Sequence, residues 1–392
     1  MEEYSKYVSG DFAKIFYDRE DPKLKYREDM SFEECAEWKQ KVTAKMKELM
    51  AFSENMYKMP KVNLLLSKQR GSYRIEKYEI SPEPHLWMTF LMMIPNEASN
   101  ENKLPAVLCC PNRRGEKEHL CGEEFCDLEY ELTPAQNREP PKYVYSNMQA
   151  LHYCRSGMIA IACEDMCVGE HACEVDDGDI NKMLLNVGRH MMGVTVEVRF
   201  AIMQWLKTLP FVDRERLAVS ANSHGVDSAL YVALLDKDIK AFLYNDGLHD
   251  WKSMISATCP SAKANTTADG AAEIEPALFA LPYSQMYPGK WAWYTQTDLL
   301  AAYAPRKLYI TEGGRTEDLE RLARVYEKWG KPDHFRYDYL PEYRDPAARK
   351  HDHSPLPRPI TAEKYWEYCN MIPEKNFFKR LTAVPWMAEA LK

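Results

Sequence analysis

Five consecutive residues, Ala221-Asn222-Ser223-His224-Gly225, offer a nucleophile together with the space it needs. A serine on a sharp strand-to-helix turn lifts its hydroxyl toward a carbonyl carbon. Such a turn wants small residues two places before and two places after the serine, because larger side chains strike the neighbouring strand and helix. Ala221 and Gly225 are small. LAVSA, ahead of the serine, has a buried-strand pattern, and the segment from His224 onward has a helical one. The backbone N–H of His224, at the start of that helix, would aim at the same place as the hydroxyl. It and the helix dipole would stabilise negative charge growing on an attacked carbonyl oxygen. The plainer reading of Ser223 is a helix N-cap. The side chain after a nucleophile generally turns away from it, so a substrate-binding or buried structural role is expected of the His224 ring rather than that of base.

Other side chains with chemistry lie in loops. Arg113 and Arg114 sit side by side after the apolar run AVLCCP. An arginine fork grips a carboxylate through two hydrogen bonds, so one of the two is a candidate for holding an anionic group on a substrate. Salt bridges to Glu116, Glu118 or Glu124 are the competing reading. Trp291, Trp293 and Tyr294 in GKWAWYT could stack on sugar rings or fill the core of a lid, and Trp251, Tyr283 and Tyr287 share that ambiguity. His351 and His353 in RKHDHSP invite a metal. No further ligand cluster accompanies them and no CxxC pair occurs among the 11 cysteines, so no metal is expected.

These residues need a scaffold that gathers distant loops. Apolar strand-like runs (YRIEKYEIS, LWMTFLMMI, LPAVLCC, GMIAIAC, RLAVSA, IKAFLY, RKLYI) alternate with helical ones such as TVEVRFAIMQWLKTLP, HGVDSALYVALL and TEDLERLARVYEKWG. The alternation implies crossover connections and a mainly parallel central sheet flanked by helices, an α/β fold. Sites in such sheets collect beyond the carboxyl ends of the strands. Pro111–Glu118, Glu164–Asp179, Ser223, Asn245–His249, Glu312–Asp318 and Tyr343–His353 all fall there. Residues 1–70 read as an N-terminal helical cap or extension, with an apolar stripe from Phe32 to Met50 and a capping box at Ser31 and Glu34. Residues 71–392 read as one α/β domain with a long insert near 252–297. The tail from Thr361 reads as helical, broken by Pro373 and Pro385.

Composition excludes several classes. The chain is 45% hydrophobic, enough for a large core, and 28% charged, with a net charge of -8 and no basic stripe to attract a nucleic acid. No apolar run approaches the 18 or more residues of a membrane helix. The opening MEEYSKYVSG lacks the apolar core of a secretory signal, and several cysteines lie inside apolar strands, so a reducing cytoplasm is expected. A second copy of the chain is a candidate partner.

VDRERLAVSANSHG, LLDKDIKAFLYND, TDLLAAYAPRKLYITEGG and NFFKRLTAVPW follow one another over about residues 70–390. With these blocks the chain resembles the α/β-hydrolase superfamily, in its acetyl-xylan-esterase-like and dienelactone-hydrolase-like branch. It is similar to esterase-like proteins found beside glycan-uptake systems of gut bacteria. The resemblance implies an α/β-hydrolase fold and hydrolysis of a small or carbohydrate-linked carboxylic ester through an acyl-enzyme, with no metal or organic cofactor. It also implies the chain order nucleophile, acid, histidine. The base then falls to His353, nearer the Ser-Pro turn, or to His351. The acid falls to Asp318, with Glu317, Glu312 and Asp246 as alternatives. The second oxyanion donor falls to the backbone N–H of Asn112 or Arg113. The chain departs from the family pattern at Ala221, where glycine is usual, at His224, at CPNRRG in place of a histidine-glycine pair, and at Thr316, where the acid commonly stands. A lactonase, peptidase or C–C hydrolase would use the same residues, and a catalytically silent binding protein is the reading from outside enzymology.

Overall fold

The computed structural model describes residues 12, 15–17, 19–113, 115–122, 148–172, 174–175, 177–249, 252, 264–266, 272–274, 283–357, 360 and 362–392. Arg114, Glu124, Trp251 and most of the 252–297 insert lie outside these residues. Among them the strands are β1 Lys61–Arg70, β2 Tyr73–Ser81, β3 Met88–Pro95, β4 Leu104–Cys110, β5 Ile159–Cys163, β6 Val212–Asn222, β7 Ile239–Asn245, β8 Ala264–Thr266, β9 Ala272–Ile274, β10 Lys307–Ile310 and β11 Phe335–Tyr337. The helices are α1 Phe32–Met50, α2 Lys117–Cys121, α3 Gln149–Arg155, α4 Asp177–Asn186, α5 Met191–Leu206, α6 Gly225–Leu235, α7 Lys290–Trp293, α8 Gln296–Tyr303, α9 Thr316–Lys328, α10 Ala362–Tyr368 and α11 Arg380–Ala390.

Nine strands form one sheet in the order β1-β2-β3-β5-β4-β6-β7-β10-β11. From β5 through β11 every pairing is parallel, and β1, β2 and β3 join at one edge in antiparallel fashion. The central strands are buried on both faces because helices cover both, which is why they read as unbroken apolar runs. On one face Leu217, Val219, Ala221, Phe242 and Ile310 pack against α1, α5, α6, α8 and α9. On the other, Ala218, Leu243 and Tyr309 pack against α2, α3 and α11. Among the described residues no helix is long and apolar enough to cross a membrane.

The N-terminal helix forms as its sequence suggests. The Glu34 N–H donates to Ser31 Oγ at 3.2 Å and the Ser31 N–H donates to Glu34 Oε2 at 2.6 Å, so the first turn is closed at both ends. Cys35, Trp38, Val42, Met46 and Met50 form its buried stripe. That stripe belongs to the main core, where each fully buried side chain of this size contributes roughly 1.5–3 kcal/mol.

Two elements differ from the sequence reading. Residues 61–70, read as part of the helical extension, form β1, an edge strand with no buried residue. Pro385 does not break the C-terminal helix but lies inside α11. The carbonyl it leaves without a partner belongs to Leu381, which is 83% exposed, so water can take that hydrogen bond.

Candidate active site

Ser223 follows the last residue of β6 and holds the left-handed backbone conformation, φ +51°. That region is costly for a residue with a Cβ, and its occupation marks a turn held in place by its surroundings. The Ser223 N–H donates to the Asn245 carbonyl on β7 at 3.1 Å, and its carbonyl accepts from Val226 N–H at 2.9 Å. His224 returns at once to helical angles and caps α6. At that position its N–H has no acceptor within the helix. The demand for a small residue is visible at Gly225. A Cβ there would lie 2.4 Å from the Pro111 carbonyl oxygen and 3.1 Å from Cys110. Ala221 is fully buried and in register with Cys110 of β4. The turn thus sits directly against the start of the loop that carries Asn112 and Arg113. The Ser223 hydroxyl makes no hydrogen bond to a described residue.

Buried charges fix the loops around this turn. Lys117, fully buried, reaches Glu164 at 2.9 Å, Glu118 at 3.1 Å and Glu170 at 3.3 Å. Its own N–H also donates to Glu164 at 3.2 Å, which ties the loop after β4 to the loop after β5. Burial pushes the Glu164 carboxyl up to about 8 against the pull of Lys117. The next residue, Asp165, accepts from Arg199 Nη2 at 2.7 Å. Arg199 rises fully buried from α5 and also bonds Ser228 of α6 and the Cys163 thiol. The other Asp165 oxygen stands 3.7 Å from His224 Nε2. Burial holds the His224 ring below its usual pKa, with Asp165 and Asp227 opposing. The ring is therefore engaged with the loop after β5, in keeping with a buried structural role. Arg113 is exposed, and among the described residues it has no ion-pair partner. The competing salt bridges to Glu116 and Glu118 are not formed, and Glu118 belongs to Lys117.

Three of the four expected acids are engaged with other residues. Asp246 accepts from Gly247 N–H at 2.9 Å and from Asn376 Nδ2 at 2.8 Å, and Asn376 in turn accepts from Asn222 Nδ2 at 2.7 Å. Glu312 accepts from Lys379 Nζ at 2.7 Å and from Asn245 Nδ2 at 3.3 Å. Burial raises both carboxyls, Glu312 to about 7, and for Asp246 the nearby Glu312 adds to the rise. These two acids anchor the C-terminal segment under the turn rather than orient a histidine. Glu317 pairs with Arg315 at the start of α9. Asp318 lies in the same first turn of α9.

The structure does not bring either late-loop histidine onto Ser223. The segment is a tight turn rather than an extended strand, with Ser354 N–H donating to the His351 carbonyl at 3.0 Å. Asp352 between them points inward, accepting from Thr316 Oγ1 at 2.6 Å, Arg349 Nε at 2.8 Å and Asn370 Nδ2 at 3.0 Å. His353 is 57% exposed, with its Nε2 3.5 Å from Glu320 on α9. His351 stacks on Tyr368 of α10 with centroids 3.9 Å apart. Neither is hydrogen-bonded to Ser223 or to Asp318.

The aromatic run also separates. Tyr294 is fully buried beside Tyr287 and cannot stack on a sugar. Trp293 faces α1, with Lys23 and Lys45 over its ring at 4.8 and 4.1 Å. Trp291 is half-buried against Ile360, Tyr365, Cys369 and Met371. Sequence reasoning missed Asp165, Arg199 and Lys117 as supports of the turn. It also missed His249, a buried imidazole four residues after β7, edge-on to Trp366 and held down to about 4 by burial. Arg199 reveals itself only as a charge inside an apolar stretch and Asp165 as one just past an apolar strand, while Lys117 is lost in the charged run RRGEKEH; His249 closes a polar loop.

A mainly parallel sheet, with a strained serine where its β6 passes into α6, defines an α/β-hydrolase. The chain belongs to the Abhydrolase family, whose model matches residues 5–389. No curated protein matches the chain in sequence. Among solved structures, a Bacteroides fragilis protein provisionally assigned as an acetyl xylan esterase is 26% identical, with a TM-score of 0.85 over 100% of this chain and 97% of that one. A methylesterase superposes with a TM-score of 0.51 at 15% identity, over 94% of this chain and 67% of that one, a likeness of fold.

Proposed function

We propose that this α/β-hydrolase is a serine carboxylesterase that cleaves a small or carbohydrate-linked ester through an acyl-enzyme. The observation that carries the reading is Ser223 at φ +51° with an unengaged hydroxyl, packed through Gly225 onto the loop after β4. Ser223 Oγ attacks the ester carbonyl, and its proton passes to an imidazole. The oxyanion accepts from the His224 N–H and from the N–H of Asn112 or Arg113. The alkoxide leaves with the proton returned by the imidazole. Water then attacks the acyl-enzyme by the same route and releases the acid. The Arg113 guanidinium, exposed and unpaired among the described residues, grips an anionic group on the substrate. The carbohydrate in the reading comes from the provisional assignment of the Bacteroides fragilis protein.

His353 or His351 serves as base with Asp318 as its acid, delivered by closure of the loop about the anchored Asp352. A second reading has an observation behind it: among the described residues no imidazole is hydrogen-bonded to the Ser223 hydroxyl, as in a silent binding protein on this fold. Labelling with a fluorophosphonate and hydrolysis of p-nitrophenyl acetate separate the two. Ser223→Ala is expected to remain folded and to lose both. Labelling of another serine, or none at all in the unaltered protein, would exclude the esterase. Among His353→Ala, His351→Ala and His249→Ala, the variant that loses acylation identifies the base.

A further inference from the structure

A cleft of about 710 Å³ opens beside the carboxyl ends of β10 and β11, and Ser223 does not line it. Its depth holds Thr311, the residue after β10, which is 4% exposed. The Thr311 hydroxyl is buried and has no hydrogen-bond partner among the described residues. A buried hydroxyl left this way costs stability unless something enters to meet it. Two apolar side chains on the same cleft are exposed, Leu381 at 83% and Phe377 at 39%, the latter with Lys379 Nζ 3.8 Å from its ring centroid.

The charge on the rim is unbalanced. Four cations line the cleft, and two are satisfied: Lys375 by Glu342 and Lys379 by Glu312. The lining acid, Asp338, is taken by Arg336 and by the Tyr309 hydroxyl. Arg344 and Arg380 have no ion-pair partner among the described residues. Arg380 opens α11, whose N-cap residue provides no side-chain bond to the first turn, so the positive end of that helix faces the same space.

We propose that this cleft binds a small carboxylate carried on a ring, with the carboxylate held by Arg344 and Arg380 and the ring laid against Phe377 and Leu381. The Thr311 hydroxyl meets the polar edge of the ligand that reaches the floor. Ser223 is not among the residues that line the site, and the proposal stands or falls without the esterase reading.

The test is calorimetric titration of the full-length protein with 2-naphthoate and with its uncharged counterpart, 2-naphthamide. The acid is expected to bind about tenfold more tightly than the amide, since a guanidinium pair distinguishes the two. Arg344→Gln and Arg380→Gln, both at exposed positions, should each weaken naphthoate several-fold and leave naphthamide unchanged. Thr311→Val should weaken it while raising the melting temperature. Ser223→Ala should leave affinity unchanged. Equal binding of acid and amide, indifference to both arginine substitutions, loss of binding in Ser223→Ala, or no binding by millimolar ligand would each overturn the proposal.

Discussion

Gly225→Ala tests whether the turn and the loop after β4 work as one unit. In the first turn of a helix, alanine in place of glycine ordinarily helps, by up to about 1 kcal/mol. Here the added carbon would lie 2.4 Å from the Pro111 carbonyl oxygen and 3.1 Å from Cys110. Ordinary contact begins near 3.4 Å, so one side must give by about 1 Å. Neither side yields easily: Cys110 ends a central strand and is fully buried, and every residue of α6 from Gly225 to Leu234 is buried. Overpacking of this kind costs roughly 1–3 kcal/mol against a propensity gain of up to about 1, so a net destabilisation of about 0–2 kcal/mol is expected. The larger effect is expected on the proposed catalysis. The displaced groups are the His224 N–H on one side and the Asn112–Arg113 backbone on the other. A misplacement of about 1 Å costs on the order of 10²-fold, and losing one oxyanion donor about 10²–10³-fold. The assay is kcat/KM on p-nitrophenyl acetate and the rate of fluorophosphonate labelling, with urea unfolding alongside. A drop in kcat of at least about 10²-fold with KM nearly unchanged is expected, since the contact matters in the transition state. Gly188→Ala, where nothing lies within 4 Å, is the control that should lose only stability. A Gly225→Ala protein that folds and keeps its activity within about threefold would refute the coupling.

Two further outcomes follow from buried charge. Lys117→Met leaves Glu164 and Glu118 buried without their cation and should cost about 3–5 kcal/mol in urea unfolding, part of it recovered by adding Glu164→Gln; a loss below about 1 kcal/mol would contradict the clamp. Burial, with Arg306 adding to it, lowers Lys39 to about 8 from an ordinary 10.5. The folded value lies below the unfolded one, so the charged lysine costs stability in full below pH 8 and the cost fades as pH rises toward 10.5. Lys39→Met gives up the Nζ bond to the Ala304 carbonyl, so the effect is read from its pH dependence: the stability of the variant relative to the unaltered protein should be greatest at pH 7 and fall by up to about 3 kcal/mol in melts taken between pH 8 and 10. An advantage that does not shrink over that interval would show that the desolvated charge is not its source.

The sheet was legible where residues are buried on both faces and illegible at its edge. RLAVSAN and GMIAIAC read as strands because helices on both sides leave no place for a polar residue. KVNLLLSKQR does not, because β1 carries no buried position and so no unbroken apolar run is demanded of it. The turn at Ser223 was legible because it is a steric demand on neighbouring positions in the chain, and Ala221 and Gly225 meet it locally. Tyr294 was not, because whether an aromatic faces a ligand or a core depends on partners the chain does not announce, here Tyr287 and, through it, Tyr231 of α6, far away in sequence. Arg199 and Asp165 stand 34 residues apart, with nothing in their spacing to announce a contact.

The buried ions around Ser223 share a geometry that stability alone does not explain. Apolar residues of equal volume would often serve the fold as well or better. Each ion instead ties one loop to the next. Lys117 and Glu164 join the loops after β4 and β5; Asp165 and Arg199 join the second of these to His224 and α6. Asn222, Asn376 and Asp246 join the turn to the C-terminal segment, which Lys379 fastens to Glu312. Preorganised dipoles stabilise an oxyanion only when they need not move during reaction, and these ties hold the oxyanion side of the proposed site in that way. The side that would supply the proton acceptor is built differently. His351 and His353 flank an inward anchor, Asp352; His351 rests on Tyr368 and near Glu367, and His353 is held only near Glu320. A rigid oxyanion cradle facing a lightly held histidine loop is what the proposed chemistry calls for if the base arrives with the substrate, and the same contrast would leave a catalytically silent protein with a costly cradle and no use for it.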